Sequence, residues 1–254
     1  MSFNIDIYST DIQEPSDGKI IHFINIQDID TKLQSLIEEN ITSIWDGDFG
    51  TPIDVVKTEI FNFFKTKSDD IKKGAVAEFI VHLYLKVCGF SQECLFKNLE
   101  EGSIKKGFDG YYSFSNEEWI MESKSGSIDT NGISHKKKIK EAYDDLKDKI
   151  EGKVTNNPWS NAYNHAIAAG TSPDILINIK NLSINYVRKT FPDISTLNII
   201  PSSTIYHNGI WDDNLVKPDH DTISKLSESF NYKKINIICV NKKSIDKLIE
   251  QMTQ

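Results

Sequence analysis

The sequence predicts an α/β fold, and three observations carry that reading. Two alternating, aromatic-rich runs, Phe108–Phe114 and Glu118–Lys124, flank Ser115-Asn116 as a β-hairpin would. The stretch Asp69–Val87 is apolar on nearly every side, as in a helix buried in a core. Further strand-like runs at Lys19–Ile26, Thr196–Ile200, Thr204–His207 and Lys234–Val240 alternate along the chain with segments of helical period.

Composition sets the outer bounds. The chain has 254 residues, 39% of them hydrophobic and 10% aromatic, enough for a full core in one large domain or two small ones. A charged fraction of 26% fits a soluble globular protein and argues against disorder. No apolar run approaches the roughly 18–20 residues of a membrane span, and MSFNIDIYSTD has no signal-peptide pattern. The expected compartment is therefore the cytoplasm, with no membrane partner. Cys88, Cys94 and Cys239 contain no CxxC spacing, so neither a disulfide framework nor a zinc site is indicated. The histidines show no tight metal spacing and there is no Gly-x-Ser-x-Gly elbow, which leaves zinc and serine hydrolase chemistry without support.

Taken in order, Phe3–Tyr8 and Lys19–Ile26 read as strands about the turn Pro15-Ser-Asp-Gly18. Asp30–Asn40 has helical spacing, and Trp45–Pro52 is a loop rich in breakers whose two acids lack the ligand series of an EF-hand. Ile53–Lys65 is a helix with Ile53, Val56, Ile60 and Phe64 on one stripe. Residues 1–68 read as an N-terminal elaboration packed on a core formed by 69–254. Within that core, Glu78 and His82 interrupt the apolar helix one turn apart. A buried carboxylate must be paired or face a cleft, so Glu78 is either a site residue or half of a structural ion pair; His82 reads first as a hydrogen-bonded core histidine. Gly89 ends the helix, Gln92–Lys97 is expected as the first core strand, and Asn98–Lys106 as a polar connector. After the hairpin come a flexible loop, Ser125–Gly132, and a helix, Ser134–Glu151. Asn161–Ala169 reads as a short helix, Ile175–Tyr186 as either helix or strand, and Ile245–Met252 as a closing amphipathic helix.

The hairpin carries the chemistry. With Ser115-Asn116 as the loop, Phe114 lies opposite Glu117, Tyr112 opposite Trp119, Gly110 opposite Met121 and Asp109 opposite Glu122. Alternation then places Phe108, Tyr112, Phe114, Trp119 and Met121 on one face, and Asp109, Glu122 and Lys124 on the other. Directly opposed side chains have Cβ atoms roughly 4.5–5.5 Å apart, where like charges repel, so two carboxylates there call for a cation. Mg²⁺ takes oxygen ligands and keeps several waters, which suits such a pair, with Mn²⁺ as a substitute. Lys124, one pleat further on, is placed to polarise a water or to stabilise charge on a phosphate. A solvated hairpin with a few surface charges is the plainer alternative.

Asp109 followed by Glu122-Ser123-Lys124 resembles the PD-(D/E)XK nuclease superfamily, with Gly107-Phe108-Asp109 in place of Pro-Asp. The resemblance covers Ile71 to about Ile150. It implies a restriction-endonuclease-like core, a central mixed β-sheet flanked by helices, with N-terminal and C-terminal elaborations. It also implies metal-dependent hydrolysis of DNA, with metal held by Asp109, Glu122, Glu78 and the main-chain carbonyl of Ser123, and catalytic roles for Asp109, Glu122, Lys124 and Glu78. Other (D/E)xK triplets, such as Asp70-Ile-Lys72 and Asp145-Leu-Lys147, lack the opposed acid. The run from Lys105 to Gly110 with Trp119–Ser125 is similar to small bacterial anti-phage nuclease subunits of the Hachiman HamA kind, which implies a separate helicase partner.

Net charge bears on partners. At −8, the chain is expected to bind DNA poorly unless a local basic face or a partner supplies the affinity. Lys105 and Lys106 precede Asp109, and Lys136, Lys137, Lys138 and Lys140 crowd the start of the helix that follows the hairpin. Positive charge there opposes the helix dipole, so this cluster reads as a phosphate clamp or as a solvated face. A free-standing type II-like restriction enzyme, usually a homodimer, and a silent nuclease-fold scaffold are the alternative functions.

Overall fold

The computed structural model describes residues 9–97 and 107–253. Its centre is a seven-stranded mixed sheet in the order β1-β2-β7-β6-β5-β4-β3. These strands are β1 (Ser9–Ser16), β2 (Lys19–Ile26), β3 (Ser91–Gln92), β4 (Gly110–Phe114), β5 (Glu117–Ser127), β6 (Asn198–Tyr206) and β7 (Lys234–Lys242). The middle pairs β2–β7, β7–β6 and β6–β5 are parallel, and the outer pairs are antiparallel. The eight helices among the described residues are α1 (Thr31–Asp46), α2 (Ile53–Lys65), α3 (Asp69–Val87), α4 (His135–Ile150), α5 (Pro158–Ala168), α6 (Pro173–Val187), α7 (His220–Ser227) and α8 (Asp246–Thr253). None is long and apolar enough to cross a membrane.

Two hydrophobic layers sandwich the sheet. One joins α1, α2, α3 and α8 to Ile24, Tyr112, Trp119, Met121, Ile200, Ile238 and Val240. The other joins α4–α7 to Ile21, Phe23, Tyr111, Ile120, Ile199, Ile235, Ile237 and Cys239. Successive strand residues thus feed opposite layers, which is why the central parallel strands read as unbroken apolar runs. In α3 every residue from Phe79 to Leu85 is buried, as the missing polar face predicts.

Several expectations change. Among the described residues the first strand is the polar edge strand β1; the expected strand Phe3–Tyr8 lies outside them. Helix α1 runs to Asp46 because Ile41, Ile44 and Trp45 continue its buried stripe. Of the expected strand Gln92–Lys97 only Gln92 joins the ladder, together with Ser91 before it; Glu93 N still donates to Tyr111 O, and the chain then turns to the end of α1, where Phe96 N donates to Ile44 O. The segment Ile175–Tyr186 is helical, its β-branched residues outweighed by Pro173 at the first turn. The runs on either side of Pro201 are one strand, β6, whose pairing with β5 continues through Pro201. Strand β5 also extends to Ser127, taking in the start of the expected loop.

Candidate functional site

The hairpin has the predicted register: Gly110↔Met121, Tyr112↔Trp119 and Phe114↔Glu117. Ser115 and Asn116 make the turn with φ of 50° and 61°, the left-handed values of a two-residue type I′ connection. Such a turn closes on a hydrogen-bonded pair, Phe114–Glu117, and pair types alternate outward from it. Continued one step past Gly110, that register sets Asp109 opposite Glu122 at a non-hydrogen-bonded position, where side chains approach most closely.

Strand β4 begins at Gly110, so Asp109 is no longer part of the ladder. Its Oδ2 instead accepts the Ser123 main-chain N–H at 2.8 Å, replacing a backbone acceptor where the pairing stops. Beyond Met121, among the described residues, β5 is paired with β6 alone. The acids therefore sit in a notch where one strand outruns its neighbour. Phe108, expected beside Tyr112, packs instead with Tyr111 and Ile120 in the α4–α7 layer, against Trp159. Once the backbone leaves the pleat, strict alternation no longer governs it. The carboxylate face is accordingly an apolar layer in its own right, with a polar cluster at its edge.

Glu122 is 2% exposed, and both its oxygens carry ammonium groups. Lys124 Nζ lies 3.1 Å from Oε1 and Lys149 Nζ 2.5 Å from Oε2. Lys124 in turn pairs with Asp145. Burial, with the Asp109 charge opposite, pushes the Glu122 carboxyl up to about 7, against the opposing pull of Lys149 and Lys124. Burial acts to lower Lys124, but the carboxylates of Glu122, Asp145 and Asp109 more than offset it and hold this lysine above its usual range. Lys149 and Asp145 were not singled out by the sequence. They lie among alternating signs on α4, where only the i,i+4 spacing on one flank hints at a shared role.

Glu78 approaches from the α3 layer, across the sheet from Lys149. It acts electrostatically on Tyr112, whose hydroxyl is 2.5 Å from His82 Nδ1. Burial, then Cys94, Glu78 and Asp109, raise the Tyr112 hydroxyl well above the usual tyrosine range, so both acids bear on this one group. Among the described residues no three His, Cys, Asp or Glu side chains are gathered closely enough to hold a metal ion. Asp109 and Glu122 are thus accompanied by the ammonium groups of Lys124 and Lys149, and Glu78 lies on the α3 side.

The basic cluster differs from expectation. Lys105 and Lys106 lie outside the described residues. Lys138 pairs with Glu141 and Lys140 with Asp144, each at 2.6 Å on the same helix, while Lys136 and Lys137 are exposed. His135 is no surface cation. It binds Ser203 Oγ at 2.6 Å and Asn241 Oδ1 at 3.2 Å, and burial lowers its pKa to about 4. Lys136 is nine residues before Asp145, roughly 13 Å along the helix, so the cluster flanks the acids at a distance.

A search of curated proteins finds no match to this sequence. Family comparison does: the chain belongs to the HamA family, which it matches over residues 1–254.

Proposed function

We propose that this protein is a metal-dependent DNA endonuclease with a PD-(D/E)XK, restriction-endonuclease-like core, serving as the nuclease effector of a Hachiman anti-phage defence system beside a helicase partner. Membership of the HamA family supports the defence role. The observation that carries the nuclease reading is the notch: Asp109 bonded to the Ser123 N–H and acting electrostatically on Glu122, with Lys124 one pleat on and paired to Glu122. Two carboxylates and a main-chain oxygen are a donor set that suits a hard divalent cation. Ser123 turns its N–H toward Asp109, and in an antiparallel pair a residue's C=O turns the same way. Asp109, Glu122 and the Ser123 carbonyl would hold the ion, with Glu78 adjusting the site from the α3 side.

A bound Mg²⁺ would supply Lewis-acid polarisation of a phosphoryl oxygen and a water of lowered pKa. The chain's own residues do the rest. Asp145 and Glu122 hold the Lys124 ammonium charged and fixed, aimed where negative charge grows on the phosphate. Lys136 and Lys137, exposed at the start of α4, would meet backbone phosphates further along a bound strand.

The test is plasmid cleavage by the purified chain with Mg²⁺, Mn²⁺ or EDTA. Glu122→Ala and Lys124→Ala are expected to lose at least about a hundredfold in metal-dependent cutting while staying folded. Cutting retained in both folded variants would sink the assignment. A discrete fragment pattern would instead favour a restriction enzyme acting alone.

A further inference from the structure

The ion pairs on α4 have a geometry of their own. Two residues along β5 advance about 6.8 Å, and four residues along α4 about 6 Å, so the steps nearly match. Glu122 and Lys124 on the strand face Lys149 and Asp145 on the helix, which runs the opposite way. The result is an alternating chain, Lys149–Glu122–Lys124–Asp145, in which each charge on the strand has its opposite on the helix. Helix α4 is fixed in this position by Ile139, Ala142, Leu146 and Ile150, all fully buried.

Lys124 is shared between Glu122 and Asp145, so it does not neutralise Glu122 by itself. Lys149 supplies the remaining positive charge, delivered from another element to the oxygen that Lys124 leaves over. We infer that Lys149 is a positioning residue of the acidic pair: it is the internal counter-cation that holds Glu122 in the resting protein, and an incoming divalent metal must displace it. This rests on the metal-site reading above. Apparent metal affinity is then reduced by the fraction of time in which Lys149 occupies Glu122. Releasing it takes either high metal concentration or a shift of α4, whose basic start is where nucleic acid or a partner would press.

The measurement is Mn²⁺ binding to the full chain by electron paramagnetic resonance, with circular dichroism melting to confirm folding. Lys149→Met is expected to bind Mn²⁺ about tenfold or more tightly than wild type, because the competitor is gone. Lys149→Arg keeps the positive charge and stays near wild type; Lys147→Met, whose lysine pairs with Glu151 instead, is the control. Asp109→Asn is expected to lose the binding in every background. Equal Mn²⁺ affinity in wild type and folded Lys149→Met, both sensitive to Asp109→Asn, would overturn the counter-cation role and leave the metal site standing. No Asp109-dependent binding in either protein would overturn both.

Discussion

Burial and the Asp109 charge raise the Glu122 pKa to about 7 even with Lys149 and Lys124 beside it, and this makes its contribution to stability opposite in sign to that of His22 and His135. Its folded pKa of about 7 lies above the model-peptide value, so the native state binds the extra proton between about 4.5 and 7. Its contribution to stability is therefore fully present at low pH and is lost as pH rises through 7. His22 and His135 act the other way. Burial lowers them to about 3 and about 4, so the unfolded chain binds the protons and stability falls as pH drops below about 6.5. Two histidines oppose one glutamate in the same window, and the wild type is expected to lose stability on acidification. Glu122→Gln removes the opposing contribution, so its melting temperature in EDTA should fall more steeply between pH 7 and 5. A shallower fall than wild type would contradict this assignment of protons. At this scale Asp109, Glu122 and Lys124 were legible because a strand's parity is written in the sequence. Lys149 was not, because the pairing of a helix residue with a strand depends on tertiary packing that no local pattern encodes.

Elements were legible in proportion to how strongly their own pattern constrained them. Helix α3 and helix α2 have the bounds that their apolar residues announce, and the hairpin has its register because Ser115 and Asn116 accept positive φ. Strand β1 was not read from the sequence because its residues, Ser-Thr-Asp-Ile-Gln-Glu-Pro-Ser, carry no apolar face; it owes its place to the edge of β2. Helix α7 was not identified from sequence, since eight residues with Ile223 as their buried apolar anchor give too short a period. Gly110 shows how tightly β4 is fitted. A Cβ there would meet the Tyr112 ring at 2.6 Å and its hydroxyl at 3.0 Å. Gly110→Ala should therefore push Tyr112 off His82 and cost about 1–3 kcal/mol in urea unfolding, with cleavage reduced as the support behind Asp109 shifts. Unchanged stability would mean that the Tyr112 ring has room to move.

For the whole molecule, charge sets the terms of any contact with DNA. With a net charge of −8 and two of the four lysines at the start of α4 tied to acids on the same helix, affinity must come from few phosphate contacts. In EDTA, Lys136→Ala/Lys137→Ala should reduce the slope of log affinity against log salt by about 2, and Lys138→Ala/Lys140→Ala by less. Filter binding across a salt series reads both, and equal slopes would dismiss the clamp. The layered architecture was foreseeable from interleaved strands and helices; the assignment of Glu78 and Lys149 to opposite layers was not, because periodicity says which residues are buried and not against what. That division has a consequence of its own. The notch beyond Met121 lies where β5 outruns β4, with the α3 layer on one face of the sheet and the α4 layer on the other. A ligand gripped there by acids of both layers would act as a rivet, and amide exchange would slow in α3 and α4 together although the two helices belong to separate cores.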